Sequence, residues 1–419
     1  MTPRSLASAL AASSIVLALL AAPGSTGTAS VALAASNGAP SAPNAAIGFR
    51  LFPPSSPWNA DVSTLPVDAR SATYLTSMGM DTEVHPDFGT TWDGAPNGIQ
   101  YVLVHGTQPK VPMSFYYGDE SDPGPYPIPG NAPVEGGPTG TGDRHVLALD
   151  VDNKLLYEVY DAHYDPARLR WTAGSGAVWD LNAGGVRPDG WTSADAAGLP
   201  MLPGLVRYDE VASGRITHAL RFTVSETQRA YIWPASHFAS DDTNADLPPM
   251  GLRVRLKAGF DISGYPAPVQ VILRALKKYG MIVADNGGPW YISGAPDPRW
   301  DDEALHAISQ VKGSDFEVVD TTRLEPAAPL VSPGRGTSQR TTSWFRRWGC
   351  FADPRGSAWT ATVDYGDGTG VHPLALTCDK RFRLSNHFLR PRVYRVVIVV
   401  QDSRRALTTT RLRILGVAR

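Results

Sequence analysis

The sequence predicts a mainly β protein: a β-sandwich or jelly-roll-like main domain with two short helices, then a small immunoglobulin-like β-sandwich. Three observations carry this. Short alternating or β-branched runs recur between turns rich in Gly and Pro, which number 40 and 36 among 419 residues. Charged residues make up 19% and hydrophobic ones 42%, the balance of a globular chain long enough for more than one core. Strands and helices do not alternate regularly, which argues against a doubly wound parallel sheet.

In chain order, Arg4 followed by the apolar run Leu6 to Ala22 reads as a secretory signal. Cleavage is expected at Ala32-Leu33-Ala34 or, earlier, at Ala21-Ala22-Pro23, giving a signal peptide over 1–34 and a flexible lead-in over 35–44. Export to the extracellular space follows as an expectation, with no segment spanning a membrane after cleavage. The main domain is expected over 45–324. Its strands are Tyr101 to His105, Val111 to Tyr117, a hairpin of His145 to Val151 with Lys154 to Tyr160, and a second hairpin of Ile216 to Val224 with Arg229 to Trp233. Asp119 to Gly142, dense in Pro and Gly, is expected as a long ordered loop. Val271, Ile272, Ala275, Leu276 and Tyr279 keep helical spacing over Pro268 to Tyr279, with Gly280 at the stop. A second helix is expected over Asp301 to Val311, its acidic first turn matching the helix dipole. A Pro/Gly-rich linker spans 325–336, and 337–419 form the tail.

The tail differs in charge. From Arg335 onward there are 16 Lys and Arg against 5 Asp and Glu, although the whole chain is only −2. A basic tail on an acidic main domain points to an anionic partner, an extracellular polysaccharide or cell-wall polymer, or to a solvated surface without one. The acidic main domain argues against nucleic acid. Cys350 and Cys378 are the only cysteines, and in an oxidising compartment they are expected to form a disulfide.

Val363-Asp364-Tyr365-Gly366-Asp367-Gly368, then Asn386-His387-Phe388, then Val393-Tyr394-Arg395-Val396, resembles the PKD (polycystic kidney disease) family of immunoglobulin-like modules. The resemblance implies an extracellular spacer or adhesive unit. The main domain, through Phe52-Pro53-Pro54, Asp143-Arg144-His145, Asp189-Gly190-Trp191, His218-Ala219-Leu220-Arg221-Phe222-Thr223 and Trp233-Pro234-Ala235-Ser236-His237, resembles an uncharacterised family of secreted microbial (actinobacterial) proteins. That resemblance transfers no activity.

His145 and His218 each begin an apolar strand face, and His237 follows Trp233-Pro234. If the strand ends converge, three imidazoles form a metal centre or an acid–base cluster; if not, each is a rim histidine bonded to backbone. Glycoside hydrolysis needs two carboxyl groups across a cleft, and Glu210 with Asp195 is the candidate pair. A lyase needs a base and an arginine; His218 and Arg221 point to opposite faces of a regular strand, which weakens that pair and leaves His145 with Tyr231 or Arg207, while Arg221 is a candidate substrate contact. Trp191 and Trp233, with Trp92, Trp171, Trp179 and Trp290, are candidates to stack on sugar rings or to pack in the core. Asp285-Asn286-Gly287-Gly288 reads first as a turn. No Gly-x-Ser-x-Gly elbow, P-loop or dinucleotide fingerprint occurs, which disfavours α/β-hydrolase, nucleotidase and dehydrogenase chemistry and leaves any cofactor unnamed. The functional expectation is a secreted hydrolase or lyase acting on extracellular carbohydrate, or alternatively a non-enzymatic extracellular binding or structural protein.

Overall fold

Leu220–Val224, whose apolar residues alternate with Arg221 and Thr223, and Met281–Asn286, apolar through Ala284, lie side by side as parallel strands inside a six-stranded sheet. Buried on both faces, Met281–Ala284 loses the hydrophobic–polar alternation of a half-exposed strand. The sheet runs His85–Asp87, Tyr291–Ser293, Leu220–Val224, Met281–Asn286, Arg253–Leu256, Phe316–Val318. The computed structural model describes residues 43–418 apart from 184, 335, 336 and 342, so the expected signal peptide and most of the lead-in lie outside the described residues.

A second sheet orders Ser175–Asp180, Leu155–Tyr160, Val146–Asp150 and Tyr101–Val104, and so contains the expected hairpin. Alternation along these strands feeds two cores: Leu147, Leu149 and Leu156 face one, and Val146, Ala148 and Val159 face the other. The Pro/Gly-rich loop after Phe115 is ordered as expected, and it lends Tyr126 and Ile128 to the second core. The protein is thus mainly β, with several sheets and a few short helices.

The principal helix is Ala267–Lys278, with Val269, Val271, Ile272, Leu273, Ala275 and Leu276 buried. Each large side chain buried this way contributes roughly 1.5–3 kcal/mol. It ends at Gly280, where φ is +64° and a Cβ would meet the Val254 carbonyl oxygen at 2.2 Å. The helix expected next is Asp302–His306, continued by the 3-10 turn Ala307–Gln310, and the Asp301 carboxylate caps it by accepting from Ala304 N at 3.0 Å. The second hairpin does not form. Leu220–Val224 takes both neighbours from far downstream, and residues 229–233 are not a strand. A fully buried strand needs two ladder partners, and a local hairpin supplies only one.

The tail is a sandwich of a three-stranded sheet (Leu330–Ser332, Phe345–Ala352, Arg381–Asn386) and a five-stranded one (Thr337–Arg340, Leu407–Val417, Val393–Asp402, Trp359–Asp364, Val371–Pro373). The stretch expected as a linker therefore contributes a strand to the tail. Tyr394, Val396, Ile398 and Val400 alternate into a core with Phe345, Phe382 and Phe388. The Tyr365 hydroxyl accepts from Ser385 N at 2.9 Å, and Asp367 accepts from the Asn386 amide at 2.8 Å, joining the turn to the downstream strand.

The expected disulfide is absent. Cys350 is buried on its strand opposite Arg381, with its thiol 3.8 Å from the Val186 carbonyl oxygen, while Cys378 is exposed in the preceding turn. The strand register sets Arg381, not Cys378, across from Cys350. Among the described residues no helix is long and apolar enough to cross a membrane.

Candidate functional site

The six-stranded sheet carries charge where an apolar face would be expected. Along Leu220–Val224, residues 220, 222 and 224 point to one side, and Arg221 and Thr223 to the other. Strand pairing sets His85 beside Tyr291 and Asp87 beside Ser293, and Tyr291 in turn beside Thr223. Arg221 Nη1 donates to Ser293 Oγ at 2.5 Å. Two polar rows therefore cross the sheet: Asp87, Ser293 and Arg221, then His85, Tyr291, Thr223 and Asp285. Asp285 joins the second row only through a β-bulge. The register runs Arg221 to Ile282 and Phe222 to Val283, then skips Ala284 and sets Thr223 against Asp285. A bulge re-aims one side chain by shifting the pleat. Without it, Asp285 would face the apolar side.

Asp195 closes over this surface. Ser193 Oγ donates to the Asp195 and Leu199 carbonyl oxygens, and Ala197 N donates to the Ala284 carbonyl oxygen, so the segment is pinned to the bulged strand. The Asp195 carboxylate is fully buried and accepts from Arg221 Nε at 3.1 Å. A buried pair of this kind is worth little net, but removing one partner strands the other and costs several kcal/mol. His145 meets the same segment: Nε2 donates to the Ala194 carbonyl oxygen at 3.0 Å and Nδ1 to Glu135 at 2.5 Å. Two acceptors on one ring require both nitrogens to carry protons.

The electrostatics agree. Burial works against the charge on His145, but Glu135 outweighs it and pushes the pKa up to about 9. Glu135 is correspondingly lowered; burial would raise it, and the His145 charge overrides that. Burial raises Asp195, with Arg221 opposing. Asp285, half-buried, is raised to about 7 by desolvation and then by the nearby Asp195 carboxylate, with Arg221 opposing. Asp87 is raised by desolvation, with Glu135 and Asp143 adding to it. Asp87, Asp143 and His85 are exposed, and the His85 ring lies 4.1 Å from that of Tyr291. A buried floor of Arg221, Asp195 and His145 thus underlies an open rim of carboxylates with Asp285 at the boundary. This arrangement can hold one carboxyl protonated and others ionised near neutral pH.

The expected residues divide between this site and others. His237 Nδ1 donates to the Ala196 carbonyl oxygen at 2.8 Å, so His145 and His237 bracket Asp195 through the carbonyls on either side of it. His218 belongs elsewhere. Its Nδ1 donates to its neighbour's carbonyl oxygen and its Nε2 to Glu210 at 3.0 Å, and Glu210 also pairs with Arg207 at 2.7 Å. That group lines a separate cavity of about 360 Å³. The three imidazoles do not converge, and each is bonded to a main-chain carbonyl. Glu210 and Asp195 share no partner, so they do not form the expected pair. Arg221, expected as a substrate contact, is buried with its guanidinium taken up by Asp195 and Ser293. Neither Tyr231 nor Arg207 meets His145; Tyr231 and Trp233 line a cavity of about 400 Å³ facing tail residues Phe351 to Pro354 and Lys380. Trp171, Trp179 and Trp290 are core residues at 1%, 1% and 0% exposure, which removes them as sugar stackers, whereas Trp92 is exposed. Among the described residues no group of three or more His, Cys, Asp or Glu is arranged to hold a metal ion.

Asp285, Asp87, Glu135 and Ser293 were not anticipated. The available signals were an arginine inside the apolar run Leu220-Arg221-Phe222 and a carboxylate ending the run Met281 to Ala284.

No family model matches this chain, and no curated protein matches it. Among solved structures, a PKD domain of an M14-like peptidase from Thermoplasmatales archaeon SCGC AB-540-F20 aligns at 17% identity and TM-score 0.17, covering 21% of this chain and 92% of that one. A modular endo-beta-1,4-mannanase from Cellulomonas fimi aligns at 14% identity and TM-score 0.22, covering 36% of this chain and 34% of that one. At these scores the likenesses identify neither activity nor ligand.

Proposed function

We propose that this chain is an exported protein acting on extracellular carbohydrate, a hydrolase that uses the carboxylate rim around Asp285, with its basic tail as a spacer or anchor. The observation that carries this reading is the bulge that turns Asp285 onto the polar rows beside the buried Asp195–Arg221 pair. Asp285, still substantially protonated near neutrality, donates to a leaving oxygen. A rim carboxylate, Asp87 or Asp143, takes the proton of the attacking water, and Asp195 tunes Asp285 without touching substrate. Hydrolysis is favoured over lyase chemistry because Arg221 and His145, the cations of the floor, are already neutralised by carboxylates and have no charge to offer a uronate. An anionic wall polymer suits the tail, where Arg395 and Arg413 lie directly opposite on neighbouring strands, both exposed. Like charges so placed repel unless a counter-charge covers them.

A non-enzymatic binding protein is the second reading, favoured by the burial of Asp195, Arg221 and His145. Incubating the protein with a polysaccharide panel, read for new reducing ends and for unsaturated products, separates the cases. The hydrolase reading expects reducing ends that vanish in Asp285→Asn and fall in Asp87→Asn or Asp143→Asn. Unsaturated products favour a lyase, and silence across the panel favours the binding protein.

A further inference from the structure

Trp191, expected to stack on a sugar, is already engaged. The Arg187 guanidinium lies 5.6 Å from the Trp191 ring centroid and the Arg381 guanidinium 4.6 Å from it. Arg187 also lies over Trp179 at 5.5 Å, and Arg381 over Trp348 at 5.0 Å. The result is one alternating ladder, Trp348–Arg381–Trp191–Arg187–Trp179, that begins in the tail and ends in the main core. Each such contact is worth about 0.5–2 kcal/mol, more where water is excluded.

The ladder is anchored at its main-domain end and beside Trp191, while Trp348 at the tail end is 50% exposed. Arg187 is buried and donates to the Asp122 carboxylate at 2.8 Å and to the Glu120 carbonyl oxygen at 2.7 Å. The Trp179 indole donates to Glu158 at 2.9 Å, and Glu158 accepts from Met201 N and Leu202 N. On the tail side, Asp189 N donates to the Asp379 carbonyl oxygen at 3.1 Å and the Asp189 carboxylate pairs with Lys380 at 3.2 Å. The ladder thus grips residues 187–191 from one side and 201–202 from the other. Asp195 and the carbonyls that hold His145 and His237 lie between these grips.

We infer that the tail is a structural arm of this site, with Arg381 as a positioning residue that holds Trp191 and, through it, the Asp195 segment. The inference rests on the proposed role of that segment. A freely tethered spacer would leave the segment indifferent to tail substitutions; this ladder does not.

The test uses the full-length chain in three forms, Arg381→Ala, Arg381→Lys and Arg383→Ala, the last altering an exposed tail arginine outside the ladder. Hydrogen exchange of amides 189–197 should speed up roughly tenfold in Arg381→Ala, remain near wild type in Arg383→Ala and recover in part in Arg381→Lys. On any polysaccharide that the wild type cleaves, kcat should fall about tenfold with KM little changed, and Lys should again restore part of it. Unchanged exchange in Arg381→Ala overturns the inference, as does equal exchange in Arg381→Ala and Arg383→Ala. Altered exchange in a protein that cleaves nothing leaves the arm standing and removes the hydrolase reading instead.

Discussion

The tail sandwich and the six-stranded sheet are built from the same kind of strand but treat charge in opposite ways. In Val393–Asp402, Tyr394, Val396, Ile398 and Val400 go inward while Arg395 goes to solvent. In Leu220–Val224, Arg221 sits at 3% exposure between apolar neighbours and is neutralised by a carboxylate that is itself buried. The tail obeys the two-residue period and has an ordinary core. The sheet breaks the period with a bulge and keeps a desolvated ion pair. Proteins depart from local rules of this kind mainly at working sites, where the cost is offset elsewhere.

The largest effect should come from breaking the ion pair. Arg221→Ala leaves Asp195 buried without its cation and is expected to cost about 3–5 kcal/mol, read by denaturant unfolding. Phe382→Ala in the tail core should cost a similar 3–5 kcal/mol through a cavity. The comparison sharpens in the pH dependence, because the tail defect should be flat with pH, while the Arg221 defect should shrink in acid as Asp195 protonates.

Asp285→Asn should lower turnover about 100- to 10,000-fold, the range for a lost general acid, while leaving the fold intact. In the wild type, activity requires the protonated carboxyl, so kcat should fall as pH rises through about 7, the value to which Asp285 is raised. A rate that climbs through that range instead makes Asp285 a base.

Two buried groups both make stability fall as pH rises, in different ranges. Desolvation pushes Glu158 up to about 7, against three N–H donors. The protonated form therefore favours the fold below the ordinary glutamate range, and that contribution is lost as pH rises through about 7. The loss is roughly 3 kcal/mol, and Glu158→Gln should remove it. His145, raised to about 9 by Glu135, adds stability that is complete below about 6.5 and lost as pH rises through 9. His145→Gln should flatten that alkaline limb in thermal melts. The smallest effect belongs to Arg413→Ala on the tail surface. It should change stability by less than about 0.5 kcal/mol, and relieving the repulsion with Arg395 makes a slight gain the expected sign.

The sheet content, the helix ending at Gly280 and the tail strands were legible because they depend on local periodicity and turn chemistry. The Asp301 cap falls within two residues of the position expected for the second helix. The site was legible only in fragments. Asp195, His145 and His237 were recognised and do share one segment, while His218 and Glu210, chosen on the same grounds, form a different cluster. Asp285 was read as a turn residue because a bulge leaves no mark in the spacing of one strand; it exists only in the register between two. Trp191 looked free for a sugar because Arg381, one of its two arginine partners, lies far away in the tail.

What the sequence alone determined is the mainly β character and the inward pattern of the tail strands, since neighbours two or four residues apart share a face whatever the rest of the chain does. Tertiary structure decided that Arg221 and Asp195 are buried together, that Asp285 faces them, and that Cys350 and Cys378 stay apart. Those outcomes hang on which distant strands pair, and in what register. A shift of one residue would send every side chain on the moving strand to the opposite face.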